Sequence, residues 1–116
     1  MTTKKTRRAT PKPGRPTPSS RSGRPVMALI DLIGRRWALR LIWELRSGPL
    51  TFRALQTACG GLSPSVLNDR LAELREVRLV EALEQGYALS ALGAELIEAM
   101  SPLFRWSDKW AKALEH

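Results

Sequence analysis

The sequence predicts a mainly α-helical domain with one small β-hairpin behind a polar arm, and three observations carry that reading. From Pro25 onward apolar residues recur at helical spacing, and Gly, Pro and capping hydroxyls divide them into short elements. Between two such helical stretches, residues 79–89 alone read as paired strands. A chain of 116 residues with 43% hydrophobic content supports one core and not two.

Residues 1–24 come first. Pro11, Pro13, Pro16 and Pro18 stand among Ser, Thr, Gly and basic residues, with too few apolar side chains to offset the entropy of ordering. They predict a disordered, basic, Pro-rich arm (1–24) attached to a single domain (25–116). Order is expected to begin at Pro25, where Val26, Leu29, Ile30 and Ile33 mark one face of a short helix closed by Gly34. In the next segment Arg36, Arg40 and Glu44 form a narrow polar stripe, while Trp37, Leu39, Leu41, Ile42, Trp43 and Leu45 fill the rest of the circumference. A helix that apolar needs cover on more than one side, from its own domain or from a second subunit. Ser47-Gly48-Pro49 ends it.

Thr51 is placed to cap a helix over 52–59 with Phe52 and Leu55 turned inward, and Gly60-Gly61 supplies a turn. Ser63-Pro64 is a helix start: the Ser hydroxyl accepts from a free backbone N–H, and Pro at the first position loses nothing by lacking one. That helix runs to about Val77, with Leu67, Leu71 and Leu74 as its buried line. Two helices joined by a tight glycine turn make a helix-turn-helix. Leu79–Leu83 and Tyr87–Leu89 then form a hairpin in the position of a wing, and Ser90 caps a last helix that Pro102 kinks or divides. The assembled expectation is a winged helix-turn-helix domain with additional helices at both ends.

The charge distribution narrows the partner. The formal net charge is +8 and the sequence pI about 10.8. Eight basic residues and no acidic one lie in residues 1–24, whereas eleven basic and eleven acidic residues balance in 25–116. A basic arm on a neutral body points to a polyanion, nucleic acid before membrane. With one cysteine (Cys59) and one histidine (His116), the chain can build neither a disulfide framework nor a Cys/His metal cluster, and no cofactor or metal is expected. The absence of a histidine inside the domain and of any nucleophile–base spacing argues against an enzyme. No apolar run approaches the ~18–20 residues of a membrane span, and no export signal is visible, so a cytoplasmic location is expected.

On the strings ALIDLIGRRWALRLIWELRSGPLTFRAL (28–55), LSPSVLNDRLAELREVRLVE (62–81) and YALSALGAEL (87–96), the chain resembles the HxlR-type family of winged helix-turn-helix regulators, relatives of the MarR group. The resemblance implies sequence-specific binding of double-stranded DNA by a homodimer. Its interface would come from the terminal helices, here Val26, Leu29, Ile30 and Ile33 with Leu103, Trp106, Trp110 and Leu114. It also implies backbone contacts from Arg35, Arg36, Thr51 and Arg53. The residues themselves add that Ser65, Asp69 and Ala72 face outward on the helix beginning at Ser63, with Asn68 at the edge. Asn68 suits a bidentate contact to adenine, Ser65 a base or phosphate, and the Ala72 methyl a thymine methyl. The free N–H groups beside Ser63 suit a phosphate. Arg70, at the border of the buried face, suits either DNA or a structural ion pair.

Two departures from the family pattern matter. The hairpin turn is short and flanked by Glu81 and Glu84, which suits DNA poorly. In compensation PGRP (13–16) and SGRP (22–25) each resemble the core of an AT-hook, whose arginine, here Arg15 and Arg24, enters a narrow A·T minor groove. Pro25-Val26 also stand where some members carry a sensing cysteine, so Cys59 is read as a small buried side chain; a small-molecule effector, for which Trp37, Trp43, Trp106 and Trp110 could line a pocket, stays open but unsupported, and packing is the commoner use of such aromatics. Two other readings remain open at this point: an architectural, nucleoid-type protein coating A·T-rich DNA through its arm, and a winged-helix module that binds protein.

Overall fold

The computed structural model describes residues 9–18 and 20–115. Six α-helices and one two-stranded sheet follow in order: α1 (Pro25–Ile33), α2 (Ala38–Glu44), α3 (Phe52–Ala58), α4 (Pro64–Glu76), β1 (Val80–Leu83), β2 (Gly86–Leu89), α5 (Ala91–Ala99) and α6 (Ser101–Ala113). Three helices begin where the hydroxyls predict. The Thr51, Ser63 and Ser90 side chains accept from the main-chain N–H of Ala54, Val66 and Gly93, each satisfying a donor that the first helical turn leaves open. A short 3₁₀ turn, Leu45–Ser47, carries α2 into Gly48-Pro49. Pro102 divides the last helical stretch into α5 and α6.

The core is a single cluster in which Leu41, Ile42 and Leu45 meet Leu55, Leu67, Leu71 and Leu74, all 2% exposed or less. Truncating one of these leucines to alanine costs about 2–5 kcal/mol, so this cluster is what fixes α4 against α2 and α3. The turn between α3 and α4 holds Gly60 and Gly61 at φ +74 and +83, a left-handed pair that brings the two helices together in few residues. The Gln56 side-chain amide donates to the Leu62 carbonyl at 2.9 Å and pins that turn.

The hairpin is antiparallel with Val80 opposite Leu89 and Leu83 opposite Gly86, turning through Glu84-Gln85. Leu50 adds a single antiparallel bridge to β2 by exchanging main-chain hydrogen bonds with Tyr87 at 3.0 and 2.9 Å. Among the described residues no helix is long and apolar enough to cross a membrane.

Residues 9–18 and 20–24 fold back on the domain: Thr10 and Pro11 are buried, and Pro11 and Pro13 border a cleft of about 150 Å³ with Leu29, Leu32, Val77 and Leu79. Proline needs no main-chain donor partner, so a short polar segment can be seated by two rings and a few side-chain contacts. Residues 1–8 and Ser19, also expected to be disordered, lie outside the described residues.

Candidate nucleic-acid interface

The candidate interface is built on the outer face of α4. Leu67, Leu71 and Leu74 bind that helix to the core, so the 3.6-residue period turns Ser65, Asn68, Asp69 and Ala72 the other way, and all four are exposed. Ser63 and Pro64 at the N-terminus are exposed too. Thr51 and Arg53, at the start of α3, are exposed beside them in the helix-turn-helix, and Arg36 is exposed in the turn between α1 and α2. The Arg36 guanidinium stands 5.7 Å from the centre of the Trp37 ring. Trp37 itself has φ +76, a left-handed backbone rarely taken by a bulky residue, and it makes the abrupt corner between the two helices.

Arg35 requires a correction as a DNA contact. Its side chain is only 7% exposed and is ion-paired with Glu73, itself 1% exposed on the inner side of α4. It also donates to the Ala9 carbonyl of the arm. A buried carboxylate is tolerable only with charge and hydrogen bonds to meet it, and Arg35 is spent on that task. Arg70 takes the structural option of its two: Nη1 lies 2.5 Å from Glu73 Oε1, and Nε donates to the Arg36 carbonyl at 2.7 Å. Glu73 stands one turn after Arg70, so their pairing was legible as an i, i+3 spacing, whereas the burial of Glu73 and its pairing with Arg35 depend on contacts between distant segments.

The hairpin carries Glu84 in its turn and Glu81 on β1 opposite Ala88, both exposed, so the acidic wing foreseen from the sequence is present. Arg15 and Arg24 are exposed on the arm. Thr10, Lys12 and Glu76, which sequence reasoning did not single out, join the arm to α4: Thr10 Oγ1 donates to Glu76 Oε1 at 2.9 Å, and Lys12 Nζ lies 2.5 Å from Glu76 Oε2.

Large apolar side chains are open to solvent on α1 and α6. Val26 and Ile30 of α1, with Leu103, Trp106, Trp110 and Leu114 at the C-terminal end, are each 48–68% exposed. Leu29 and Ile33 are half-buried, and the core side of α1 is supplied by Ala28 and Leu32. Trp106 and Trp110 stack on each other with ring centres 5.9 Å apart. Trp43 is used differently, edge-on to Phe104 at 5.0 Å and beneath the Arg46 guanidinium at 3.7 Å, which holds α6 to α2. Cys59 is buried, and loss of hydration pushes its thiol above the ordinary range against a smaller opposing pull from Arg40.

Comparison with known proteins agrees with this geometry. Residues 32–115 match the HxlR-like helix-turn-helix family. An uncharacterized HTH-type transcriptional regulator of Methanocaldococcus jannaschii is 24% identical over 75% of this chain and 86% of its own length. A second, YvaP of Bacillus subtilis, is 26% identical over 70% and 82%. Among solved structures, quinone-bound YodB of B. subtilis superposes with a TM-score of 0.68 at 27% identity, covering 72% of this chain and 96% of that one.

Proposed function

The chain belongs to the HxlR-like helix-turn-helix family of transcriptional regulators, and from that premise we propose that it acts as a homodimer that inserts two α4 helices into successive major grooves of a near-palindromic operator. The observation that carries the reading is the division of α4 into a leucine face sealed in the core and a face of short polar and methyl groups open to solvent. Short side chains let the helix approach base edges closely, and Asn68, Ser65 and Ala72 offer three kinds of base contact. α4 supplies little attraction of its own, because Asp69, Glu73 and Glu76 outnumber Arg70 and Arg75. Affinity therefore comes from its neighbours: Arg36, Thr51 and Arg53 reach for phosphates, and the α4 N-terminus adds free N–H groups beside Ser63.

The dimer follows from the open apolar surface. α1 and α6 together expose more large hydrophobic groups than a monomer in water retains without a partner, and pairing them about a two-fold axis gives a self-complementary interface. Half-sites on one face of B-DNA then lie about 34–36 Å apart. Regulation proceeds by occluding or recruiting polymerase on cytoplasmic DNA.

The test is selection of genomic fragments by the purified full-length protein at two salt concentrations. A shared inverted repeat among the fragments retained at the higher salt supports the reading, and retention of A·T-rich fragments with no common motif overturns it.

A further inference from the structure

We propose that residues 9–18 and 20–24 form a docked basic flank, laid against the C-terminal end of α4, that carries the protein's contact with DNA onto the phosphates beyond the groove α4 occupies. The proposal rests on the reading above, in which the outer face of α4 meets a duplex. Ser65, Asp69, Ala72 and Glu76 follow one another at helical spacing, so Glu76 is the last member of that outer stripe. It is there that the arm lands. Thr10 and Lys12 both engage the Glu76 carboxylate, at 2.9 and 2.5 Å. The Ala9 carbonyl accepts from buried Arg35, and Pro11 and Pro13 border the apolar cleft beside Val77 and Leu79.

This docking does two things for a DNA-facing surface. It gives the Glu76 carboxylate, which would repel phosphate at the end of the stripe, a cation of its own. It also fixes the root of a segment bearing Arg15, Arg21 and Arg24, all exposed, with no acidic residue among 9–24. The acidic hairpin, with Glu84 in its turn and Glu81 on β1, cannot supply such contacts.

The fold of the segment selects which part of DNA it suits. The Gly14 N–H donates to the Gly23 carbonyl at 2.8 Å, and Thr17 and Ser20 exchange main-chain bonds at 2.7 and 3.1 Å, which closes a hairpin. Gly14 and Gly23 both have left-handed φ, +83 and +72. Each Gly-Arg-Pro therefore turns at its glycine and does not run straight as a minor-groove thread does, although Arg24 itself is extended, and the arginines stand on one folded unit. Guanidinium groups presented in this way fit phosphate oxygens, which accept without regard to base.

Hydroxyl-radical footprinting and binding titrations on the full-length protein test this, using a selected operator with A·T or G·C flanks. The combined Arg15→Ala, Arg21→Ala, Arg24→Ala variant should keep central protection, lose flank protection, and lower the slope of log K against log salt by up to about 0.9 for each phosphate contact removed. Glu76→Gln should also lose flank protection although it makes the chain more positive, which simple charge attraction cannot produce. Exchanging the flanks should change neither effect. Intact flank protection in either variant overturns the proposal, as does an arm contribution that vanishes on G·C flanks, which identifies minor-groove reading instead. Failure of the α4 reading itself looks different: central protection is then absent from the unaltered protein.

Discussion

Arg70 donates from Nε to the main-chain carbonyl of Arg36 at 2.7 Å, so the helix that faces outward and the turn that carries the nearest exposed arginine move as one piece. The same guanidinium reaches Glu73 at 2.5 Å, and Arg35 meets that carboxylate as well. One buried carboxylate thus holds two arginines from two parts of the chain. The geometry fixes the spacing between the outer face of α4 and the turn that carries Arg36.

Removing that carboxylate strands a buried cation. Glu73→Leu is expected to lower unfolding stability by about 3–5 kcal/mol, read from urea midpoints at unchanged m. The double variant Glu73→Leu, Arg35→Met should recover most of the loss, since it takes away both charges and leaves Arg70 to water.

Contacts to bases and to phosphates separate in a binding series. Asn68→Ala should relax preference at one base position by about 1–3 kcal/mol and leave other duplexes unaffected. Arg36→Ala and Arg53→Ala should weaken all duplexes alike and each flatten the salt dependence by about 0.9 in slope. Fluorescence anisotropy across a mutated operator set reads both.

The apolar surface of α1 and α6 gives a prediction about mass. Trp110→Glu and Ile30→Glu place a charge among groups about half exposed in the single chain, and sedimentation should find these variants at the 13.0 kDa of one chain. Binding to a two-half-site operator should fall far more than binding to one half-site.

Cys59 should behave as an inert thiol. Burial raises its pKa above the usual value of 9.0, so at neutral pH alkylating reagents should modify it only after unfolding. Because the folded value is the higher one, the thiol form is favoured in the native state. Its contribution to stability is complete below the unfolded value and is lost as pH climbs through the raised one, so stability compared with Cys59→Ala should fall only at alkaline pH.

Gly93, in the first turn of α5, lies against the main chain of Leu79 just before β1. A methyl group there would stand 2.1 Å from the Leu79 carbonyl oxygen, and main chain cannot yield as a flexible side chain would. Gly93→Ala should cost at least the ~1–3 kcal/mol typical of overpacking, visible as a lower Tm.

Helix starts were legible because they rest on local chemistry: Thr51, Ser63 and Ser90 each cap the helix that follows. The leucine line of α4 was legible for the same reason, since periodicity is a property of one element. What escaped were contacts between distant segments. Arg35, flanked by Gly34 and Arg36, reads as a surface residue until Glu73 is seen to lie across from it. The seat of Pro11 exists only once α1 and the end of α4 have come together, so no spacing within the arm could announce it.

The stacked pair Trp106 and Trp110 has a consequence for the newly made chain. Residues 25–116 are formally neutral, and a body near its isoelectric balance with indoles turned to water has little to oppose random sticking. Between separate copies, mutual repulsion resides in the arm. Cutting that arm away would therefore impair colloidal behaviour, and insolubility of a trimmed chain would reflect lost repulsion, with the core still intact.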